Sequence, residues 1–308
     1  MRIGTVIEIW RYPVKSMAGE QLQDCRVESL GIPGDRGWAL RDETNGEITN
    51  GKRMPLLMQC EARYLQKPTD GAIPNVEIRL PGGLQIESEA NDVNNQLSAL
   101  LGKPVSLWPL QPAENSEHYR RKTKAARIFG RLARYRAIRS VLPTLTSFGG
   151  ANVQLREMFS RELNEPVPDI SVLPPAVLEF TSPPGTYFDA FPIQLLTTAS
   201  LDAMARLNPG AVWDVRRFRP NFLIQTDESL KGLIESEWSG QTLRLGDVEL
   251  KCEIPTPRCG MATHAQADLP KDSSVLRSIV KDANQNLGSY ATVARSGEVK
   301  LGSSVELI

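Results

Sequence analysis

Histidine is nearly missing from this 308-residue chain, which has only His118 and His264. A three-histidine metal site is therefore excluded, and a Ser-His-Asp triad would have to use one of those two. The four cysteines, Cys25, Cys60, Cys252 and Cys259, contain no C-x-x-C pair. That argues against a structural zinc site, a thioredoxin-type redox pair and a secreted disulfide scaffold. No apolar run reaches the ~18–20 residues that span a bilayer. The opening M-R-I-G-T-V-I-E-I-W-R has an acid in its apolar stretch and no small-residue cleavage site, which predicts a cytoplasmic protein without a signal peptide. A charge excess is missing too. Lys+Arg and Asp+Glu are both 36, so global charge points to neither nucleic acid nor a membrane surface.

The chain is 41% hydrophobic and 23% charged, ordinary for a globular protein with a sizeable core. At about 150 residues per domain its length suggests two domains. Residues 1–110 read as a β-rich domain. Short β-branched and aromatic runs at 5–12, 23–30, 36–41, 75–80, 84–87 and 105–110 alternate with turn signals such as G-I-P-G-D, T-N-G and P-G-G. One helix interrupts at 91–101, stopped by Gly102. From His118 to Arg156 there are ten lysine or arginine residues and no Asp or Glu. With the proline-rich passage that follows, residues 111–186 read as a basic helical insertion or lid.

Residues 187–308 alternate between strands and helices. Strands are expected at 195–198 and 218–225, and helices from Thr198 or Ser200 to Leu207 and over 273–284. A hairpin over 241–254 turns at Leu245-Gly246-Asp247, and 290–295 is expected to pair with 298–301 across Ser296-Gly297. Strands outnumber helices and βαβ units are few, so the fold class is mainly β with some helices (α+β). A β-barrel-like N-terminal domain would precede a mixed β-barrel.

Cys259 is the leading candidate for chemistry. It follows a strand in P-T-P-R-C-G, where Pro255 and Pro257 cannot extend a ladder. Arg258 beside it favours a thiolate, the form that binds metals or attacks electrophiles. Spacing alone leaves a second reading, a buried thiol at a strand end, which is the expected role of Cys25, Cys60 and Cys252. Lys15 in Y-P-V-K-S, Arg36 in P-G-D-R-G-W and Arg219 in R-R-F-R-P-N-F each sit where a strand meets a turn. Singly they read as surface charges; as a set they suit an anionic ligand, which arginine can hold bidentately.

Together Y-P-V-K-S (12–16), G-D-R-G-W (34–38), F-R-P-N-F (218–222) and P-R-C (257–259) resemble the MOSC family with its N-terminal β-barrel domain. That family includes the mitochondrial amidoxime-reducing component and its bacterial relatives. The resemblance spans nearly the whole chain except the basic segment, and implies a molybdenum cofactor (molybdopterin) site. By it, Cys259 is the metal ligand, while Lys15, Ser16 and Arg36 approach the cofactor. Arg219 and Asn221 contact the pterin or its phosphate, Asp189 and Tyr290 line the site, and Arg258 flanks the ligand. Clustered cations suit a dianionic phosphate, and a thiolate suits a soft, sulfur-rich metal shell. The chain departs from the family at 263–270, where T-H-A-Q-A-D-L-P replaces T-x-x-D-P-x-T-G.

The implied activity is reduction of small N-hydroxylated compounds: amidoximes, hydroxylamines or N-hydroxylated bases. No Cys-rich module follows, so electrons would come from a separate ferredoxin, flavodoxin or reductase-type protein. Two other readings of Cys259 stand beside this: a sulfur carrier bearing a persulfide, and a cofactor-binding protein without turnover. His264, five residues after the cysteine, reads either as a proton donor near the metal or as a turn histidine, and His118 as solvated. The basic stretch 118–139 reads as a solvated helix, as a dock for an acidic redox partner, or as a membrane-surface element. Its aromatics are too sparse for nucleic acid.

Overall fold

A computed structural model describes residues 1–69, 71–122 and 149–308. Residues 123–139 of the basic stretch therefore lie outside the described residues.

The first half contains strands β1 (Arg2–Arg11), β2 (Glu20–Leu22), β3 (Asp24–Val27), β4 (Trp38–Asp42), β5 (Glu47–Ile48), β6 (Glu61–Tyr64), β7 (Val76–Arg79), β8 (Gln85–Glu87) and β9 (Val105–Pro109). Helix α1 (Val93–Leu101) ends at Gly102, whose φ of 65° is the left-handed conformation that favours glycine at a helix stop. Helix α2 (Gly149–Phe159) follows. The second half contains β10 (Ile193–Thr197), α3 (Thr198–Leu207), β11 (Phe222–Thr226), β12 (Thr242–Leu245), β13 (Val248–Pro257), α4 (Ser273–Asp282), β14 (Asn286–Arg295), β15 (Gly297–Lys300) and β16 (Ser304–Leu307).

The second-half strands build a barrel that needs the first strand of the chain to close. The order β11-β10-β14-β13-β12-β16-β1, with β1 returning to β11, makes a closed seven-stranded ring, and β2 extends β1. The barrel is mixed: β10 and β11 are parallel across the α3 crossover, and its other pairs are antiparallel. Closure is tight at Gly4, which faces both Thr226 and Val305, and a Cβ there would collide with the Gln225 carbonyl. Ile3, Val6, Ile9, Leu195, Phe222, Leu243 and Leu250 fill the interior. Two three-stranded sheets, β5-β4-β9 and β6-β7-β8, pack with α1 around a separate core that includes Met17, Leu40, Leu57, Ile78 and Leu97. The fold is thus mostly β with few helices, as the sequence predicts.

One expected pairing fails. β15 lies against β3, with Val299 opposite Cys25, and not against β14. Only Ser296 separates β14 from β15, and one residue cannot reverse the chain, since the tightest common hairpins need two. The 242–257 hairpin does turn on two residues, with Leu245 opposite Val248. His118 corrects a second expectation. It is 7% exposed, its Nε2 lies 2.8 Å from Tyr187 Oη, and its ring packs on Trp108 and Tyr119. Basic neighbours in sequence disguise an aromatic environment in space. No helix among the described residues is long and apolar enough to cross a membrane.

Candidate functional site: a cation-lined cavity with a reachable thiol

Three of the motifs converge on Asp35, whose side chain is fully buried. Its Oδ1 accepts from Tyr12 N at 2.8 Å, and its Oδ2 accepts from Asn221 Nδ2 at 3.1 Å and Arg36 Nη1 at 2.5 Å. Tyr12 Oη donates to the Pro220 carbonyl at 3.0 Å, so the two loops are bound twice. Barrel register makes the meeting possible, because Ile9 near the end of β1 lies opposite Phe222 at the start of β11. Asn221 adds a link to β10, accepting from Gln194 N at 3.0 Å through Oδ1. Ser16, Arg36 and Arg219 all hold positive φ, 69°, 52° and 54°. Such strain in non-glycine residues persists where surrounding structure over-determines it, often at binding sites.

Arg36 and Arg219 both sit over the Tyr12 ring, 5.4 and 4.1 Å from its centroid. Arg219 is 8% exposed; its Nη1 donates to the Met17 carbonyl, and its Nη2 is buried without a hydrogen-bond partner. Burial pushes this guanidinium down to about 10. For Arg36, burial pulls the same way, but Asp35, Asp189 and the Tyr12 and Tyr290 phenols together outweigh it and the pKa rises. Lys15 is buried, its Nζ donating to Asp189 Oδ1 and the Tyr187 carbonyl, both at 2.7 Å, and to Ser182 Oγ at 3.3 Å. Burial lowers the Lys15 pKa against the pull of Asp189. Asp189 has a 59% exposed side chain. What desolvation its carboxyl suffers opposes ionisation, but Lys15 and Arg36 prevail and hold it well below the usual carboxylate range.

The thiol lies at the end of β13. The ladder shifts register between Cys252 and Ile254 and again between Pro255 and Pro257, and the strand then leaves the sheet. Cys259 caps the short 3₁₀ turn Gly260–Thr263. It is half-buried, whereas Cys25, Cys60 and Cys252 are buried with thiols pushed up to about 12 by desolvation. Arg258 is anchored on carbonyls: Nε and Nη2 donate to Leu287 O and Nη1 donates to Phe218 O at 2.9 Å. Arg217 does the same for the loop after the cysteine, reaching the carbonyls of Val212, Ala262, His264 and Pro270.

Seven of the nine expected site residues line one cavity of about 600 Å³, counting space open to solvent: Arg36, Asp189, Arg219, Asn221, Arg258, Cys259 and Tyr290. Lys15 and Ser16 stand behind the lining. Lys15 meets Asp189, and Ser16 Oγ accepts from Gly51 N at 2.9 Å. His264 is half-buried and does not line the cavity. Sequence reasoning missed Phe191, Gln194, Arg217, Phe218 and Met261. Phe191, whose ring is 5.4 Å from that of Tyr290, was within reach of the F-D-A-F-P motif. Nothing in R-R-F-R distinguishes the carbonyl-binding Arg217 from the cavity-facing Arg219.

A closed mixed barrel joined to a smaller β domain, with cations and one reachable thiol around a shared cavity, defines the class of protein. Residues 184–306 match the MOSC domain and residues 3–113 the MOSC N-terminal beta barrel domain. The chain belongs to the MOSC family. It is similar to "Mitochondrial amidoxime reducing component 2" of Bos taurus, at 23% identity over 99% of this chain and 83% of that protein. It is similar also to the protein of that name from Rattus norvegicus, at 24% identity with the same coverages. Among solved structures it is similar to the YUAD protein from Bacillus subtilis, at 12% identity and a TM-score of 0.41 over 99% of this chain and 95% of that one.

Proposed function

We propose that this protein is a molybdenum-cofactor-dependent oxidoreductase that reduces N-hydroxylated compounds with electrons from a separate protein. One observation carries the reading: a single cavity holds a reachable thiol, Cys259, and a buried guanidinium, Arg219, with a donor left unpartnered. A buried cation with an open donor suits an anionic group such as a phosphate, which accepts charge-assisted hydrogen bonds. Among the described residues no three His, Cys, Asp or Glu side chains converge to hold an ion. A metal at Cys259 would therefore take most of its ligands from a cofactor, and the residues fit one that brings its own sulfurs and a phosphate. The similarity to proteins named as amidoxime reducing components supports the same reading.

The cofactor, when bound, supplies the two-electron chemistry at the N–O bond. The protein supplies position and charge. Cys259 would offer a thiolate ligand at the end of β13, and Arg219 and Arg36 would hold the phosphate. Asn221 and Arg258 spend their donors within the protein and so fix the loops that carry Arg219 and Cys259. Burial raises the Tyr290 phenol, so its Oη holds a proton at neutral pH in the cavity that Cys259 also lines. Net consumption is two electrons and two protons, giving the amine-type product and water. The electrons come from an iron–sulfur, flavin or reductase-type partner.

The test is molybdenum and pterin content after expression in a cofactor-producing host, with Cys259→Ala alongside, followed by benzamidoxime reduction with a reduced viologen as donor. About one metal per chain, lost in the variant together with turnover, is the expected result. A metal-free wild-type protein with a persulfide on Cys259 by mass spectrometry would replace this reading with the sulfur-carrier one.

A further inference from the structure

The two domain matches leave residues 114–183 to neither. The ends of this excursion are clasped together: Arg121 N donates to Glu179 O at 3.1 Å, and Thr181 N to Tyr119 O at 2.8 Å. Its return arm then packs on the thiol. Leu155, Phe159, Ile170, Leu173, Val177 and Leu178 form an apolar cluster against which Ile254 and Cys259 are packed. Gly260, next to the cysteine, is bare because a Cβ there would collide with Ser160 Oγ.

The polar centre of this contact is Arg161, 7% exposed. Its Nη2 donates to the Arg258 carbonyl at 2.9 Å, its Nη1 to the Phe159 carbonyl at 2.7 Å and its Nε to Gln285 Oε1 at 3.2 Å. Gln285 in turn accepts from Arg258 N through its own carbonyl at 2.9 Å. Both peptide groups of the residue before the thiol are thus held, one by Arg161 and one by the residue Arg161 bonds. Three non-glycine residues with positive φ meet here: Ser160 at 54°, Asn284 at 44° and Gln285 at 69°. Strain concentrated at one junction marks a conformation imposed for a purpose. Arg161 also lies within the electrostatic field of the Cys259 sulfur, and its guanidinium has no carboxylate among its three hydrogen-bond partners.

We propose that Arg161 is a positioning residue for Cys259, brought in by the excursion to fix the peptide before the thiol and to set a positive potential at the sulfur. The proposal builds on Cys259 being the working group, but it concerns the thiol itself and does not depend on which group the thiol holds.

The test uses cofactor-free full-length protein and two methanethiosulfonate reagents of similar size, one anionic and one cationic. The three other thiols are buried, so the reaction reads Cys259, with Cys259→Ala as the blank. The rate ratio, anionic over cationic, removes differences in simple access and reports local potential. Arg161→Gln keeps a donor but loses the charge. Gln285→Glu keeps the whole hydrogen-bond set and neutralises Arg161 with a carboxylate. Both variants are expected to lower the ratio by at least roughly ten-fold, which is what remains of one nearby unit charge after screening by solvent at a half-exposed thiol. Arg161→Lys, which restores charge without the planar fork, should recover most of the ratio while reacting faster with both reagents, because the loop is released. An unchanged ratio in Gln285→Glu, or in a folded Arg161→Gln, overturns the proposal. Failure of the wild-type protein to bind molybdenum would sink the proposed function and leave this result standing.

Discussion

Arg219 should add almost nothing net to the stability of the cofactor-free protein. Its pKa, about 10 against an ordinary 12.5, means the charged side chain is held in the fold at a cost of about 3 kcal/mol. A base whose pKa falls on folding binds its proton more tightly in the unfolded chain. The cost is therefore present in full at pH 7 and is relieved only as pH rises through about 10. Against it stand one charge-assisted hydrogen bond to the Met17 carbonyl and a cation–π contact 4.1 Å above Tyr12. Each contributes about 1–2 kcal/mol. The terms nearly cancel, and Nη2 brings nothing. Arg219→Met keeps the apolar stem and sheds the charge, so its stability in guanidinium chloride should lie within about 1 kcal/mol of wild type. Removing one partner of a fully paired buried ion would instead cost about 3–5 kcal/mol. The same variant should lose its anion response. Inorganic phosphate should raise the wild-type melting temperature by binding the folded state, and leave that of Arg219→Met where it is. A loss of 3 kcal/mol or more in the phosphate-free variant would refute the reasoning, because it would show Arg219 to be fully compensated by the protein.

Asp35→Ala should behave in the opposite way. It strips partners from Tyr12 N, Asn221 Nδ2 and Arg36 at once, at a cost of about 3–5 kcal/mol; a denaturation midpoint shift below about 1 kcal/mol would remove Asp35 as the junction. Burial pushes the His118 ring down to about 4, so the unfolded chain, near the ordinary 6.5, takes up a proton that the folded one refuses. Stability should fall by about 2–3 kcal/mol between pH 6.5 and 4.5 on this account, and urea titrations of His118→Gln should show a correspondingly flatter dependence. Gly4→Ala drives a methyl into the Gln225 carbonyl where β1 closes the barrel, so it should cost at least about 2 kcal/mol, read from thermal melting.

Local chemistry made much of this fold readable in the chain. α1 stops at Gly102, and the β12–β13 hairpin turns on Gly246-Asp247, because those signals act over a few residues. Pairings that link distant segments left no such mark. Nothing in Val299 or Cys25 says that they face each other, and β1 carries no sign that it serves as the wall between β11 and β16. The site divides along the same line. Its residues were identifiable by their motifs, but their tasks were not, since a donor's task depends on where carbonyls fall in space. Arg258, adjacent to the thiol in sequence, spends its guanidinium on Leu287 and Phe218.

The division explains how one cavity can hold several arginines. Arg217 and Arg258 keep their charge but spend their donors on backbone carbonyls, so they act as rivets for the loops on either side of Cys259 and leave the ligand few hydrogen bonds. Arg36 is offset by Asp35, and Lys15 by Asp189. Only Arg219 combines deep burial, a lowered pKa and an open donor among the cavity's arginines. Its loop is held by Tyr12 and Asn221, both of which depend on β1 meeting β11. The open donor is therefore fixed by the closure of the barrel itself, so it is in place before any anion arrives, and binding need not supply the energy to assemble it.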